Sequence, residues 1–397
     1  MDASSRSTRL ARMGRPASGW ANTPIVKGST YLFESIDQWR DTRARREKER
    51  VLSYGARGNE TVYALEDAVA ELEGGHRSKL FPTGLAAIAA TFLACLKAGD
   101  HVLISEGVYQ PVRRLCADQL VRYGISHSYF DPRQTDMKQA LKPETRMVYT
   151  ESPGSLLYDM LDLPAMAEIC RPRGITLCAD NTWGSGFVYH PLALGCDISI
   201  MAATKYLGGH SDVMMGTVTA AESHFEAIEN VSINLGQTVS AEDAFLVLRG
   251  LRTLGLRMKR HAESALEVAT WLAGQSAIRT VYHPALQTDP NHALWRRDAR
   301  GSNGLLTVEF QPALAPQAVE DAIGRLRHFG IGSSWGGFES LLLPVDAART
   351  RLSHEGGPRG YLLRLHVGLE DVEDIRKDLG RMLDGLPAVS QQQAIAE

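Results

Sequence analysis

The sequence predicts an α/β protein, in which a mostly parallel sheet sandwiched by helices follows an extended N-terminal arm and precedes a smaller C-terminal α+β domain. Short apolar runs alternate with amphipathic stretches through the middle of the chain, which is typical of parallel strands joined by helices. The pattern changes near residue 240, and 397 residues are enough for more than one domain. We therefore expect the arm over residues 1–55, a large α/β domain over 56–243 and an α+β domain over 244–397.

The N-terminal arm is predicted from a lack of apolar periodicity. It mixes Pro, Gly and Ser with a charged run from Arg40 to Arg50. Because a charged run without an apolar face is usually solvated, we expect this segment to lie outside the core.

A helix is predicted to open the large domain. Leu65, Val69 and Leu72 recur at helical spacing. Gly74 and Gly75 follow them, where a left-handed C-cap would end the helix.

A second helix and a set of buried strands follow. Thr83 can cap a helix over residues 85–97, which ends before Gly99. Apolar and β-branched runs then predict strands over residues 101–105, 147–151, 175–180 and 198–203.

Polar side chains follow three of these strands. Glu151 ends the second strand, Asp180 ends the third, and Thr204 and Lys205 follow the fourth. Open α/β sheets bind their ligands at the carboxyl ends of their strands, so this edge is the predicted site.

The C-terminal domain is predicted to combine helices with further strands. A helical stretch over residues 241–273 is interrupted near Gly250 and Gly255. The other predicted elements are strands over 305–310 and 362–367, a helix marked by Val319, Ile323 and Leu326, and a frayed tail from Ala388.

Composition excludes several classes of protein. The chain has 43 Lys and Arg against 46 Asp and Glu, and its scattered basic residues do not predict nucleic-acid binding. Its longest apolar window is shorter than the roughly 20 residues of a membrane span. Its 5 Cys, with no C-x-x-C pair, favour a reduced protein in the cytoplasm.

The sequence lacks the motifs of several further classes of protein. No glycine-rich dinucleotide or Walker loop is present, and no His or Cys cluster has metal-binding spacing, so we expect no metal. A G-x-S-x-G match from Gly332 to Gly336 lacks the strand-to-helix context of a nucleophile elbow.

Lys205 is the strongest candidate for chemistry. It lies just beyond a buried strand and just before Gly208 and Gly209. Burial would lower the pKa of its ammonium group and free the amine to form a Schiff base with an aldehyde. Taken alone, a strand-end lysine that reaches to solvent is the commoner interpretation.

Two neighbouring features favour the chemical interpretation. Asp180 could pair with a protonated pyridine nitrogen, although a strand-end Asp is more often a turn residue. The segment from Thr83 to Leu85 opens a helix, and its free amides could bind a phosphate, although an ordinary capped helix has the same pattern.

From about Thr8 to Leu383 the chain resembles the pyridoxal-phosphate (PLP) enzymes of cysteine and methionine metabolism, and within them the β-lyase branch. The resemblance implies the PLP-dependent transferase-like fold, fold type I. The matching motifs are Tyr54-Gly55, Glu73-Gly74-Gly75, Glu151-Ser152-Pro153-Gly154-Ser155, Asp180-Asn181-Thr182-Trp183, the lysine segment, Ser334-Trp335-Gly336-Gly337-Phe338-Glu339-Ser340 and Arg364-Leu365-His366-Val367-Gly368-Leu369-Glu370-Asp371.

The resemblance implies a role for each matching residue. Lys205 would bond to the cofactor aldehyde and move the proton, Asp180 would pair with the ring nitrogen, and Tyr109 would stack on the ring. Tyr54 would reach the site of a neighbouring subunit in a homotetramer built from two dimers. The resemblance assigns catalysis to Lys205, Tyr109 and Tyr54, cofactor binding to Lys205, Asp180, Tyr109, Gly84, Leu85, Thr204, Thr182, Tyr54 and Arg57, and substrate binding to Arg364, Ser334, Trp335 and Ser155.

Two positions depart from the family pattern. Ala56 stands where the family usually has a phosphate-binding arginine, and Arg57 follows it. Ala202 stands where many relatives have a serine that would bind the phosphate. Either Arg57 substitutes for the missing arginine or the phosphate loses one cationic partner.

The resemblance implies β-elimination from cystathionine, cystine or another S-substituted cysteine, which yields a thiol, pyruvate and ammonia. The segments at 151–155 and 334–337 favour this reaction. A γ-elimination or γ-replacement enzyme of the same family stays open, as does a regulator that binds PLP without catalysis.

Overall fold

Two β-sheets and the helices packed against them make up the fold. The computed structural model describes residues 5–46, 48–131, 133, 136–346 and 357–388. Its strands are β1 (Arg77–Phe81), β2 (His101–Ser105), β3 (Ser126–Phe130), β4 (Thr145–Glu151), β5 (Thr176–Asp180), β6 (Ile198–Ala202), β7 (Gly216–Ala220), β8 (Ile278–Tyr282), β9 (Leu305–Phe310), β10 (Gly330–Ile331), β11 (Leu341–Val345) and β12 (Leu362–His366). Its α-helices are α1 (Arg6–Arg12), α2 (Ile36–Arg45), α3 (Glu60–Glu73), α4 (Gly84–Cys95), α5 (Gln110–Asp118), α6 (Met137–Ala140), α7 (Leu163–Cys170), α8 (Glu222–Asn234), α9 (Ala241–Leu251), α10 (Leu254–Ala273), α11 (His292–Asp298), α12 (Pro316–Ile323) and α13 (Val372–Leu383).

The larger sheet has seven strands in the order β1-β7-β6-β5-β4-β2-β3. Strands β2 to β6 pair in parallel, whereas β7 runs antiparallel to both of its neighbours. The four strands predicted from apolar runs are β2, β4, β5 and β6, and their carboxyl ends lie along one edge. The prediction of a mostly parallel sheet is confirmed.

Helices cover both faces of this sheet because its central strands are apolar on both sides. On β2, Val102 and Ile104 belong to one core cluster with Phe92 of α4. Leu103, between them in the sequence, belongs to a different cluster with Leu163 of α7. Successive side chains of a strand point to opposite faces, so each face carries its own core.

Capping side chains set the ends of α3 and α4. Asn59 accepts backbone hydrogen bonds at the start of α3, and Gly74 ends that helix in the left-handed region at φ 73°. Thr83 caps α4, as predicted. That helix ends at Cys95, earlier than expected, because Leu96 is already extended.

The long helical stretch breaks at Arg252 and Thr253, between α9 and α10, which confirms the predicted interruption near Gly250 and Gly255. Both glycines lie inside helices. A Cβ atom at Gly250 would overlap the carbonyl oxygens of Leu207 and Gly208. Gly250 therefore permits close packing of α9 against the loop that carries Lys205.

Among the described residues, no helix combines the length and the apolar character needed to cross a bilayer.

The N-terminal segment does not lie wholly outside the core, as the prediction of an arm had implied. Leu10 of α1 and Met13 just beyond it are 1% and 5% exposed and join the main core cluster. Two apolar residues in a basic stretch have too little periodicity to predict this packing. Helix α2 carries no buried residue, so the expectation of a solvated charged run is confirmed there.

The smaller sheet has the strand order β10-β11-β12-β9-β8. Strand β9 has the predicted bounds, β12 ends at His366, and α12 ends at Ile323, which leaves Leu326 beyond the helix. Most of the predicted frayed tail lies outside the described residues. The exact domain boundaries stay a prediction.

Candidate active site

The predicted polar residues meet at the carboxyl edge of the larger sheet. Glu151 at the end of β4 is paired in register with Asp180 at the end of β5. Asp180 is in turn opposite Ile200 of β6, and the chain reaches Lys205 just after that strand. Parallel pairing therefore brings together residues that are far apart in the sequence.

The Lys205 amine lies in a mostly buried position. Its Nζ donates to Ser334 Oγ at 2.6 Å and lies 5.3 Å from the centre of the Trp335 ring. Burial, with a smaller contribution from Arg364, lowers the pKa of Lys205 to about 8, and Asp180 opposes this shift. The amine is therefore more readily deprotonated than that of an ordinary lysine.

The Asp180 carboxylate is buried and oriented by hydroxyl groups. Its Oδ1 accepts from the Thr182 backbone at 2.9 Å and from Thr182 Oγ1 at 2.6 Å, and its Oδ2 accepts from the Tyr149 hydroxyl at 3.3 Å. Burial raises its pKa, its hydrogen bonds and the charge of Lys205 oppose this shift, and no described cation lies within ion-pair distance of it. A cationic ring nitrogen would supply the missing partner.

Glu151 is a functional candidate to which sequence reasoning assigned no role. Its Oε2 accepts from the backbone N–H of Tyr109 at 2.6 Å. Burial and the adjacent Asp180 raise its pKa well above the usual range. Its position at a strand end beside that of Asp180 was the available signal, but the pairing register was needed to use it.

The N-terminus of α4 fits a phosphate group. The N–H groups of Gly84 and Leu85 have no acceptor among the residues that the structure describes. A Cβ atom at Gly84 would lie 2.9 Å from that of Ala202, so this approach favours glycine. Unpaired N–H groups at a helix N-terminus are suited to an anion.

The hydroxyl groups of Thr182 and Thr204 already have partners within the chain. Thr182 Oγ1 accepts from the N–H of Ala202 at 2.9 Å while it donates to Asp180. Thr204 Oγ1 accepts from Met215 N at 2.9 Å and donates to Met215 O at 3.2 Å. Thr182 therefore orients Asp180, and Thr204 connects the loop after β6 to the segment just before β7.

Arg364 lies on β12 of the smaller sheet and reaches the same site. Its Nη2 donates to the carbonyl oxygen of Ser334 at 3.1 Å. Ser155 lies after β4, and its backbone N–H donates to Gly107 O at 2.7 Å. The site therefore combines residues of both sheets.

Tyr109 and Tyr54 are too exposed to be core tyrosines. Tyr109 is 47% exposed at the start of α5, and Tyr54, which forms an isolated antiparallel bridge with Thr30, is 53% exposed. The guanidinium group of Arg57 donates to the carbonyl oxygen of Arg46 at 3.0 Å. The roles of these residues toward a cofactor stay predictions.

A buried lysine and carboxylate at the edge of a mostly parallel sheet, together with an anion site at a helix N-terminus, define the class of PLP-dependent enzymes. Residues 7–384 match the family model described as Cys/Met metabolism PLP-dependent enzyme. The chain belongs to this family. The predicted family and cofactor are confirmed.

Known relatives support the same grouping. The cystathionine beta-lyase of Bordetella avium is 44% identical over 366 residues, which cover 91% of this chain and 92% of that protein. The cystathionine beta-lyase of Escherichia coli (strain K12) is 40% identical over 383 residues, which cover 94% and 96%. Among solved structures, cystathionine gamma-lyase from Lactobacillus plantarum complexed with L-serine superposes with a TM-score of 0.86 at 29% identity, and the match covers 96% and 98% of the chains.

Proposed function

We propose that this protein is a PLP-dependent carbon–sulfur lyase that cleaves the Cβ–S bond of L-cystathionine or a related S-substituted cysteine. With one water consumed, the products are a thiol (homocysteine from cystathionine), pyruvate and ammonia. The observation that carries the proposal is the buried Lys205 amine, 2.6 Å from Ser334 Oγ, with its pKa lowered to about 8. The names of the Bordetella avium and Escherichia coli relatives support β-elimination.

The donor set fits PLP. Gly84 and Leu85 would bind its phosphate through their free N–H groups, Lys205 would bind its aldehyde, and Asp180 would accept from its ring nitrogen. The ring of Tyr109 would stack on the pyridine. When bound, the cofactor supplies an electron sink that stabilises negative charge at the α carbon of the substrate.

Lys205 is the base that would move the substrate proton. An ordinary lysine with a pKa near 10.4 is almost fully protonated at neutral pH. The lowered pKa of Lys205 increases the fraction of neutral amine that can accept a proton from the α carbon. Ser334 Oγ accepts from Nζ and so orients the amine.

Arg364 would bind the substrate carboxylate. One of its N–H groups is held by Ser334, and the remaining groups have no hydrogen-bond acceptor in the described part of the chain. A guanidinium group can bind a carboxylate through two parallel hydrogen bonds. Ser334, Trp335 and Ser155 would line the same pocket.

The active site would be composite, in a homotetramer built from two dimers. Tyr54 is exposed and would enter the site of a neighbouring subunit. Arg57 would enter with it and take the place of the phosphate-binding arginine that the family usually has at the position of Ala56. Trp20 and Leu32 of the N-terminal segment are 70% and 85% exposed. Large apolar side chains at a surface are suited to burial by a second copy.

The proposed location is the cytoplasm. All five cysteines, Cys95, Cys116, Cys170, Cys178 and Cys196, are free thiols. A reducing compartment keeps thiols in this state.

Analysis of the keto acid formed by the purified holoenzyme tests the proposed reaction. Pyruvate and homocysteine from cystathionine are expected, whereas 2-oxobutyrate as the main keto acid would contradict β-elimination and favour the γ alternative. Lys205→Ala is expected to abolish pyruvate release, and Lys259→Ala, on the exposed side of α10, is the matched control. A wild-type protein that binds PLP but releases no keto acid would favour the regulator.

A further inference from the structure

A tight turn from Ser334 to Gly336 places the Ser334 hydroxyl against Lys205. Ser334 has φ 86° and Gly336 has φ 89°, so both lie in the left-handed region. A Cβ atom at Gly336 would lie 2.8 Å from Tyr206 N and 3.0 Å from the carbonyl carbon of Lys205. The turn therefore packs directly on the Lys205 backbone, and a shift of the turn would move Ser334 Oγ away from Nζ.

The side chain of His366 contacts this turn through both of its ring nitrogens. Its Nε2 lies 3.1 Å from the Gly336 N–H, and its Nδ1 lies 3.1 Å from the carbonyl oxygen of Glu339. His366 is only 1% exposed, and pairing of β12 with β9 and β11 fixes its backbone. The ring thus connects a fixed strand to both ends of the segment 336–339.

The two contacts determine the protonation state of the ring. A backbone N–H can only donate, so Nε2 must carry a lone pair toward Gly336. A carbonyl can only accept, so Nδ1 must carry the hydrogen toward Glu339. His366 is therefore neutral, with its hydrogen on Nδ1. Because Gly336 is buried, loss of the acceptor would leave its N–H without a partner.

We propose that His366 is a positioning residue for Lys205, which acts through Gly336 and Ser334 without touching the substrate. This inference rests on the proposed role of Lys205 as the base. Arg364 lies on the same strand, β12, where backbone pairing fixes it, and it contacts the turn through one hydrogen bond to the Ser334 carbonyl oxygen. A shift of the turn would move Ser334 Oγ away from the base directly and would reach Arg364 only through that hydrogen bond, so loss of the His366 contact should lower kcat more than it raises KM.

Paired variants of the holoenzyme test the proposal. His366→Phe keeps a ring but removes both contacts, and His366→Gln can place an amide oxygen near the position of Nε2. We expect His366→Phe to lower kcat about tenfold, as for loss of a buried hydrogen bond, and His366→Gln to recover most of this loss. If His366→Phe does not fold, His366→Asn replaces it, since its amide is too short to reach Gly336.

Hydrogen–deuterium exchange of the peptide that contains Gly336 gives a readout that does not depend on turnover. We expect faster exchange in His366→Phe or His366→Asn and near-normal exchange in His366→Gln. This result is measurable even if Lys205 is not the base, so failure of the proposed function and failure of this inference are distinguishable.

His261→Phe is the matched control. The His261 ring lies 5.2 Å from that of His366, and its Nδ1 contacts Val367 O at 2.9 Å rather than the turn. We expect it to lower stability but to leave kcat and Gly336 exchange unchanged. Unchanged Gly336 exchange in His366→Phe, no recovery by His366→Gln, or an equal loss of kcat in His261→Phe would overturn the proposal.

Discussion

At the scale of single residues, two buried carboxyl groups both have a raised pKa but differ in their surroundings. Glu151 and Asp180 are neighbours across paired strands, and each is removed from water. Burial raises the pKa of both groups, and the adjacent Asp180 raises that of Glu151 further. Asp180 receives three hydrogen bonds that favour its anion, whereas Glu151 has a pKa raised well above the usual range. Asp180 is therefore better suited than Glu151 to carry a negative charge toward a ring nitrogen.

This difference predicts unequal losses of kcat for two amide substitutions. Glu151→Gln should keep kcat within about threefold, because a neutral amide oxygen can still accept from the N–H of Tyr109. Asp180→Asn should lower kcat by about 100-fold or more, because it removes a preorganised charge. Steady-state release of pyruvate from cystathionine measures both. Equal losses in the two variants would contradict this difference between the two carboxyl groups.

At the scale of secondary structure, close packing determines where glycine is needed. Gly250 lies inside α9 against the carbonyl groups of Leu207 and Gly208, so this helix approaches the lysine loop more closely than a larger residue would allow. Gly380 lies inside α13, where a Cβ atom would meet no other atom within 4 Å. The two residues occupy similar helical positions but different surroundings.

Alanine substitutions at these two glycines should change stability in opposite directions. Gly250→Ala should lower the free energy of unfolding by about 1–3 kcal/mol, because overpacking outweighs the gain in helix propensity. Gly380→Ala should raise it by about 0.5–1 kcal/mol, because only the propensity gain remains. Urea unfolding followed by circular dichroism measures both. A stabilised Gly250→Ala variant would contradict the close approach.

At the scale of the whole molecule, the site lies where the two sheets meet. Helix α10 contributes Met258 to the main core cluster, which includes Leu80 and Met201 of the larger sheet, and Leu272 to the cluster of the smaller sheet. The smaller sheet supplies Arg364 and His366, and the larger sheet supplies Asp180 and the loop of Lys205. Because one long helix is anchored in both cores, these groups keep fixed positions relative to one another.

The proposed composite site predicts that two inactive variants restore activity when mixed. Lys205→Ala removes the base from its own subunit, and Tyr54→Ala would remove a group from the neighbouring subunit. After random exchange of subunits within dimers, about a quarter of the sites would hold both intact residues. Pyruvate release before and after mild dissociation and mixing measures this recovery. If the mixture stays inactive although subunits exchange, Tyr54 acts only within its own chain.

The sequence by itself determined the parts of this protein that depend on local chemistry. Alternation of apolar runs predicted the parallel sheet, and Thr83 and Gly74 marked helix ends because capping involves only neighbouring residues. The positions of Lys205 and Asp180 beyond buried strands were enough to predict the edge where they meet. The resemblance to a family then supplied the cofactor.

Only the tertiary structure decided the relations that depend on pairing register and burial. The contact of Glu151 with Tyr109, the support of Gly336 by His366 and the burial of Leu10 each join residues from separate elements. The same holds for Gly250, because the sequence indicated the nearby helix break but not the close approach of this glycine to the lysine loop. The physical reason is that burial, close approach and the pKa shifts that follow are set by which elements pack together, and no local pattern of residues contains that information.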